Sequence, residues 1–256
     1  MKVLIIGDSF TDTFKYCKRI KENPEHPGSF VYGIIDERVC VGGASNTSHA
    51  LHYLNPDITI QNEHNETQPN KIRFETDDIT FRIDEVFDLK LTQIKFDANY
   101  DAIIISDYAK GCITEELISK LKLKFQDTPI FVDTKPSHYK WYKDVFCITP
   151  NFKELTEIYP DELDIVKAAN RLSKELNTNV VVTMGENGCL FTNENRQTSI
   201  PFDGIAVDNI NVSGAGDVFM ASLCSTFLNS KSLKMASEQA NKSAAKSVEN
   251  MYTGLQ

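Results

Sequence analysis

Between residues 211 and 217 the chain reads Asn-Val-Ser-Gly-Ala-Gly-Asp, and the run that follows, Val218 to Leu228, is largely apolar and free of Pro and Gly. That run reads as a buried helix, which puts Gly214, Ala215 and Gly216 at its N-terminus. Unpaired backbone N–H groups and the positive end of the helix dipole make such a turn an anion site, and the missing side chains let a phosphate come close. Asp217 would repel that anion, so its better use is as a base that takes the proton of a hydroxyl attacking the phosphate. The same residues also suit an ordinary turn with an acidic first helical turn. The string matches neither G-x-x-x-x-G-K-[ST] nor G-x-G-x-x-G.

Other polar residues punctuate short apolar runs in a common way. Val3 to Ile6 ends at Gly7-Asp8, Ala102 to Ile105 at Ser106-Asp107, and Ile130 to Val132 at Asp133-Thr134-Lys135. Phe146 to Ile148 ends at Thr149-Pro150-Asn151, and Val180 to Val182 at Thr183-Met184-Gly185. Helix-like stretches lie between them at Thr114 to Phe125, Phe152 to Tyr159 and Leu163 to Leu176. Continuous apolar strands alternating with helices predict a parallel sheet covered on both faces, with ligands bound outside the carboxyl ends of its strands. Each polar residue alone suits a strand end or helix cap; their joint placement favours a site.

A second texture occupies Ser29 to Val41 and Lys71 to Asp84. Ile72 and Phe74, then Ile79, Phe81 and Ile83, alternate across Asp77-Asp78, which predicts an antiparallel hairpin with one apolar face. So small a sheet needs a cover, so it should close over a pocket or pair with another copy of the chain. Gln61 to Asn70 is the least ordered-looking stretch, with one strand candidate before it at Ile58 to Ile60.

Bulk properties narrow the function. The chain has 256 residues, 36 acids against 27 scattered bases and a formal charge of -9, which argues against a nucleic-acid or anionic-membrane surface. Its length suits one α/β domain, 1–256, with an accessory element. The six cysteines form no C-x-x-C pair and read as reduced core residues of a cytoplasmic protein; His49 and His52 lack a third metal ligand. No run has the length of a signal peptide core or a membrane span.

The Gly214-Ala215-Gly216-Asp217 string resembles the GAGD signature of the ribokinase-like (PfkB) sugar kinases, and the resemblance extends over nearly the whole chain. Val41-Gly42-Gly43-Ala44-Ser45-Asn46 is similar to the family's sugar-binding segment. Gly7 to Asp12, Arg19-Ile20, Asn23 to Pro27, Ser106 to Gly111 and Thr149 to Leu155 resemble, more narrowly, the heptose-7-phosphate kinase module of bacterial ADP-heptose synthases. The resemblance implies a ribokinase-like, doubly wound, mostly parallel sheet with helices on both faces and a small β-sheet lid from about 14–41 and 71–84. It implies ATP-dependent phosphoryl transfer to a hydroxyl of a small sugar or sugar phosphate, with Asp217 as base and the Gly214–Gly216 turn as anion hole. Asp12, Gly42, Gly43, Asn46 and Asp107 would bind the sugar, and Lys135 would meet a phosphate on it. Asn151 and Glu154 would organise Mg2+ and phosphates, Glu154 through water, although the two also fit a helix capping box. Thr183, Gly185, Gly188 and Asn241, the last on a helix from Lys234 to Tyr252, would hold the nucleotide. A homodimer through the lid is expected. Asp12 could instead cap a helix, and Lys135 could be a surface lysine.

Three departures bear on substrate and cation. Asn211 stands where the family usually has Asp, which leaves potassium dependence open. The span from Leu54 to Lys71 is short of a strand, a helix and a further strand, which trims a wall beside the sugar. The chain ends just past Gly254, and the nucleotidyltransferase module that often follows the heptose kinase is not in it, so a separate protein would supply that step. A ribose- or nucleoside-type kinase, and an inactive sugar- or nucleotide-binding relative, remain the alternative readings.

Overall fold

The computed structural model describes residues 1–85, 89–91, 94, 96, 99–192, 199–202 and 213–248. Asn211, Gly254 and the end of the helix expected to reach Tyr252 lie outside these residues.

The apolar runs form the middle of one large sheet. In chain order its strands are β1 (Lys2–Gly7), β4 (Thr59–His64), β7 (Ala102–Ser106), β8 (Ile130–Asp133), β9 (Cys147–Ile148), β10 (Asn179–Thr183), β11 (Cys189–Thr192) and β12 (Ser199–Phe202). In space they run β12-β11-β10-β9-β8-β7-β1-β4, parallel from β4 to β10, with β11 and β12 antiparallel. Alternate residues feed opposite faces. Leu4, Ile6, Ile103, Ile105 and Val132 meet α2 (Glu115–Lys124), α3 (Phe152–Ile158) and α4 (Ile165–Leu176). Val3, Ile5, Ile104 and Phe131 meet α1 (Ala44–Leu54), α5 (Ala215–Ser230) and α6 (Leu233–Val248). Each fully buried Ile, Leu or Val on these faces stabilises the fold by about 1.5–3 kcal/mol. This is the doubly wound, mostly parallel sheet with helices on both faces that the resemblance implies.

The second sheet has the order β3-β2-β5-β6, from β2 (Ser9–Glu22), β3 (Phe30–Gly43), β5 (Asn70–Glu75) and β6 (Thr80–Asp84). It begins earlier than expected: β2 leaves β1 after a single residue, so Asp12 lies in a strand opposite Cys40 and caps no helix. Gln61 to Asn70 also differs from expectation. It carries β4 to His64, and Asn65 is buried, its side chain exchanging bonds with both the N–H and the carbonyl of Ser9. An edge strand exposes one rim, so polar residues there hide its period.

Register decides which side of the small sheet meets the site. Asp12, Lys71 and Asp84 lie side by side, as do Phe14, Arg73 and Arg82. Thr13, Ile72 and Ile83, with Phe74 and Phe81, point the opposite way. The charged side faces the carboxyl ends of the main strands. The apolar side faces outward, with Phe81 46% and Ile83 51% exposed, so the apolar face does not close over a pocket.

Candidate active site

Asp217 sits in the first turn of α5 and is 2% exposed. Gly214, the N-cap, has φ 79, a left-handed conformation that glycine adopts without strain, and no side chain caps this end. The first helical bond runs from Val218 N–H to the Gly214 carbonyl, so the N–H groups of Ala215, Gly216 and Asp217 precede the ladder. Nothing lies within 4 Å of where a Gly216 side chain would stand, which leaves the backbone open to a ligand.

Three side chains hold the Asp217 carboxylate: Asn46 Nδ2 donates to Oδ2 at 2.8 Å, and Tyr108 OH and Thr47 Oγ1 donate to Oδ1 at 3.0 and 3.1 Å. Burial pushes its pKa up to about 6, against the pull of these donors and of the nearby Lys71 ammonium. Asn46 and Thr47 come from the first turn of α1, which enters from Gly43 at φ 64; a side chain there would strike the Asp8 carbonyl, and one at Gly42 the Phe10 ring. Gly42 and Gly43 thus bring α1 close to β1 and β2. The Asn46 amide is engaged with the base.

Tyr108 is placed by Asp8, whose buried carboxylate accepts the N–H groups of Tyr108, Lys110 and Cys112 at 2.9, 3.1 and 3.0 Å. Burial, then the charge of Asp217, raises the Tyr108 phenol well above its ordinary range, so it remains a donor.

Asp107 departs from the expected role. It is fully buried, and its oxygens accept Ala109 N–H (2.8 Å), Tyr142 OH (2.6 Å) and His138 Nδ1 (2.8 Å). With both oxygens engaged inside the protein, it anchors the loop and offers nothing to a sugar.

On the small sheet, Asp12 is 3% exposed, and its Oδ1 accepts Arg73 Nε at 3.1 Å and Nη2 at 3.0 Å. Arg73 Nη2 also reaches Ser213 Oγ at 3.3 Å, next to Gly214. Lys71 Nζ lies 3.1 Å from the Phe10 ring centroid. Burial pulls its pKa down to about 8, Asp12 opposing.

A cleft of ≈190 Å³ joins Tyr108, Asp133, Lys135, Asn151, Glu154 and Thr183 to Gly214 and Gly216. Asn151 and Glu154 form the capping box of α3: Asn151 Oδ1 accepts Glu154 N–H at 2.9 Å, and Glu154 Oε2 accepts Asn151 N–H at 2.8 Å. Lys135 is paired with Glu154 Oε1. Burial disfavours the Lys135 ammonium, but Asp133 and Glu154 outweigh it and hold its pKa above the ordinary value. Lys135 thus lines the cleft, partly buried and paired with Glu154, and is not a solvated surface lysine. Gly185, Gly188 and Asn241 do not line this cleft; Gly185 and Gly188 bracket the turn after β10, and Asn241 is half-buried on α6.

Asp133, read from sequence only as a strand end, lines the same cleft. Burial pushes its carboxyl up to about 8, with Lys135 opposing and the charges of Glu154, Asp217 and Asp107 adding. Such crowding of carboxylates favours a cation. Among the described residues no three His, Cys, Asp or Glu side chains form a metal cage. The donor set thus fits a hydrated Mg2+ shared with substrate phosphates better than a cation enclosed by protein. A larger hollow of ≈620 Å³, between Asp101, Phe125, Pro129 and Phe227, opens at the amino ends of the strands, away from these groups.

The chain is similar to known proteins in both sequence and fold. Residues 58–256 match the model of the pfkB family carbohydrate kinases. The chain is 26% identical to a bifunctional protein HldE of Hydrogenovibrio crunogenus, covering 94% of this chain and 58% of the relative. It is 28% identical to that of Helicobacter acinonychis, covering 99% and 64%. The chain thus spans about three fifths of the length of these relatives. Among solved structures, phosphofructokinase-2 from Escherichia coli in complex with potassium superposes with a TM-score of 0.75 at 15% identity, over 99% of this chain and 94% of that one. Ribokinase from Thermotoga maritima gives 0.74 at 17% identity, over 98% and 94%. Among the described residues no helix is long and apolar enough to cross a membrane.

Proposed function

The chain belongs to the pfkB family of carbohydrate kinases, and from that premise we propose that it transfers the γ-phosphoryl group of ATP to a hydroxyl of a small sugar phosphate of the heptose 7-phosphate type. The observation that carries the reading is Asp217, buried and held by three donors at the open N-terminus of α5. Its carboxylate takes the proton of the acceptor hydroxyl. The hydroxyl oxygen forms the new bond to the γ-phosphorus while the bond to the leaving ADP oxygen breaks. The N–H groups of Ala215 and Gly216 stabilise the charge that gathers on the transferring group. Asp133 and Glu154 would hold Mg2+ through water, and the bound cation would offset phosphate charge. Thr183 borders the phosphates; Gly185, Gly188 and Asn241 belong to the nucleotide side, and the N–H groups at Gly42 and Gly43 to the sugar side.

The heptose-type strings and the similarity to the bifunctional HldE proteins support the sugar-phosphate acceptor. One observation favours a second reading, a ribose- or nucleoside-type kinase: Lys135, the cation expected to read the sugar's own phosphate, is occupied by Glu154. A coupled assay of ADP release over matched phosphorylated and unphosphorylated sugars, with and without potassium, decides between them. Preference for the phosphorylated member supports the first reading; preference for the free sugar or a nucleoside supports the second; no turnover with any acceptor refutes both. The six unpaired cysteines, five of them buried, suit a cytoplasmic enzyme.

The pH profile follows from the base. With Asp217 near 6, kcat/KM should rise about tenfold per pH unit below that value and level off above it, because only the ionised carboxylate accepts a proton. A profile flat down to pH 5 would exclude Asp217 as the base. The outward apolar face of the small sheet, with Val39, Phe81 and Ile83 exposed, supports a homodimer through the lid. Light scattering should give a dimer at micromolar concentration and a monomer for Phe81→Asp with Ile83→Asp; a monomeric parent protein would refute the dimer.

A further inference from the structure

We infer that Arg73 is a catalytic residue, a cation that the small sheet presents to the transferring γ-phosphoryl group; the inference rests on the kinase reading above. Arg73 lies on the inward side of β5, in register with Phe14, and its guanidinium carbon is 5.4 Å from that ring's centroid. Its Nε and Nη2 are fixed on Asp12, on the acceptor side, while Nη2 also bonds Ser213, one residue before the open turn of α5. The guanidinium therefore bridges the two groups between which an acceptor oxygen and a γ-phosphorus must meet.

Charge balance calls for a cation there. Asp217 stands in the first turn of α5 beside the open glycine turn, Asp133 lines the cleft that this turn joins, and the backbone N–H groups contribute only partial charges. Of the other cations, Lys135 pairs with Glu154, and Lys71 packs on Phe10 and acts on the Asp217 charge, whereas Arg73 reaches Ser213 beside the open turn. A planar, permanently charged fork already held on a ring and a carboxylate loses little entropy in taking up phosphoryl oxygens. In the step itself, the acceptor oxygen bonds to phosphorus, ADP leaves with its bridging oxygen, and the proton passes to Asp217. Arg73 gives up no proton and offsets the charge spread over the three phosphoryl oxygens. Because β5 belongs to the small sheet, transfer then requires that sheet to cover the cleft.

A merely structural Arg73 would serve only to hold Asp12. The two roles separate in Arg73→Ala and Arg73→Lys, assayed with the sugar the parent enzyme phosphorylates best. Arg73→Ala should lower kcat by about 10²–10³-fold with the KM for ATP little changed, and added guanidinium should restore part of the loss. Arg73→Lys, which keeps a charge for Asp12 but loses the fork, should recover sugar KM more than kcat. By calorimetry, ADP with Mg2+, aluminium fluoride and the sugar should bind the parent protein more tightly than ADP with Mg2+ and the sugar. Arg73→Ala should lose that difference while binding ADP equally well. Loss confined to sugar KM, no guanidinium rescue, or an unchanged preference for aluminium fluoride would overturn the inference and leave the kinase reading intact. A parent enzyme that phosphorylates no sugar would overturn both.

Discussion

Asp217→Asn is expected to lower turnover by roughly 10²–10⁴-fold while nucleotide affinity stays nearly constant. The substitution keeps the shape of the side chain and removes its basicity. Thr47 and Tyr108 can still donate to the remaining oxygen, and Asn46 can turn its amide over to meet the new N–H group. Stability separates this outcome from damage to the fold. Asp217 has a folded pKa of about 6 against an ordinary 3.8, so its contribution to stability is greatest at low pH and is lost as pH rises through about 6. At neutral pH the ionised, buried carboxylate costs stability, and asparagine removes that cost. The variant should therefore melt at the same temperature as the parent protein or above it. Equal activity would remove Asp217 from the mechanism, and lost activity with a lowered melting point would make it structural.

Lys135→Ala is expected to lower kcat/KM by about ten- to more than a hundredfold, the range of a hydrogen bond to a charged group. The loss should be equal for acceptors with and without a phosphate of their own, because Lys135 is paired with Glu154, which the proposed function assigns to the Mg2+ and nucleotide phosphates. Lys135→Arg should recover part of it, since the charge offered to Glu154 and Asp133 is kept. A loss confined to phosphorylated acceptors, read by comparing kcat/KM for a matched sugar pair, would return Lys135 to the sugar's phosphate.

The sequence made the large sheet legible because a parallel strand buried on both faces is a continuous apolar run, as in Ile103-Ile104-Ile105. The β5–β6 hairpin was legible from the alternation of Ile72 and Phe74 with Phe81 and Ile83. Which of its faces met the site was not. The bond from Arg73 to Ser213 joins residues 140 apart, and no local pattern shows that a charged face is the buried one. The partners of Asp217 were hidden for the same reason: Thr47, Tyr108 and Lys71 arrive from three separate segments. Asp107 and Asp133 illustrate the limit of reading strand ends. Both are carboxylates that close apolar runs, yet Asp107 turns into the protein to hold His138 and Tyr142 while Asp133 opens into the cleft. Only packing separates them. The pairing of Asn151 and Glu154 was readable because a capping box is local in sequence.

The central claim is that this chain moves a phosphoryl group from ATP to a sugar hydroxyl with Asp217 as the base. Phosphorus NMR of a reaction holding ATP, Mg2+ and the preferred sugar tests it directly. A new sugar phosphate ester should grow in step with ADP for the parent protein and stay at background with Asp217→Asn. ADP accompanied only by inorganic phosphate, or an ester formed equally well by the variant, would contradict the account.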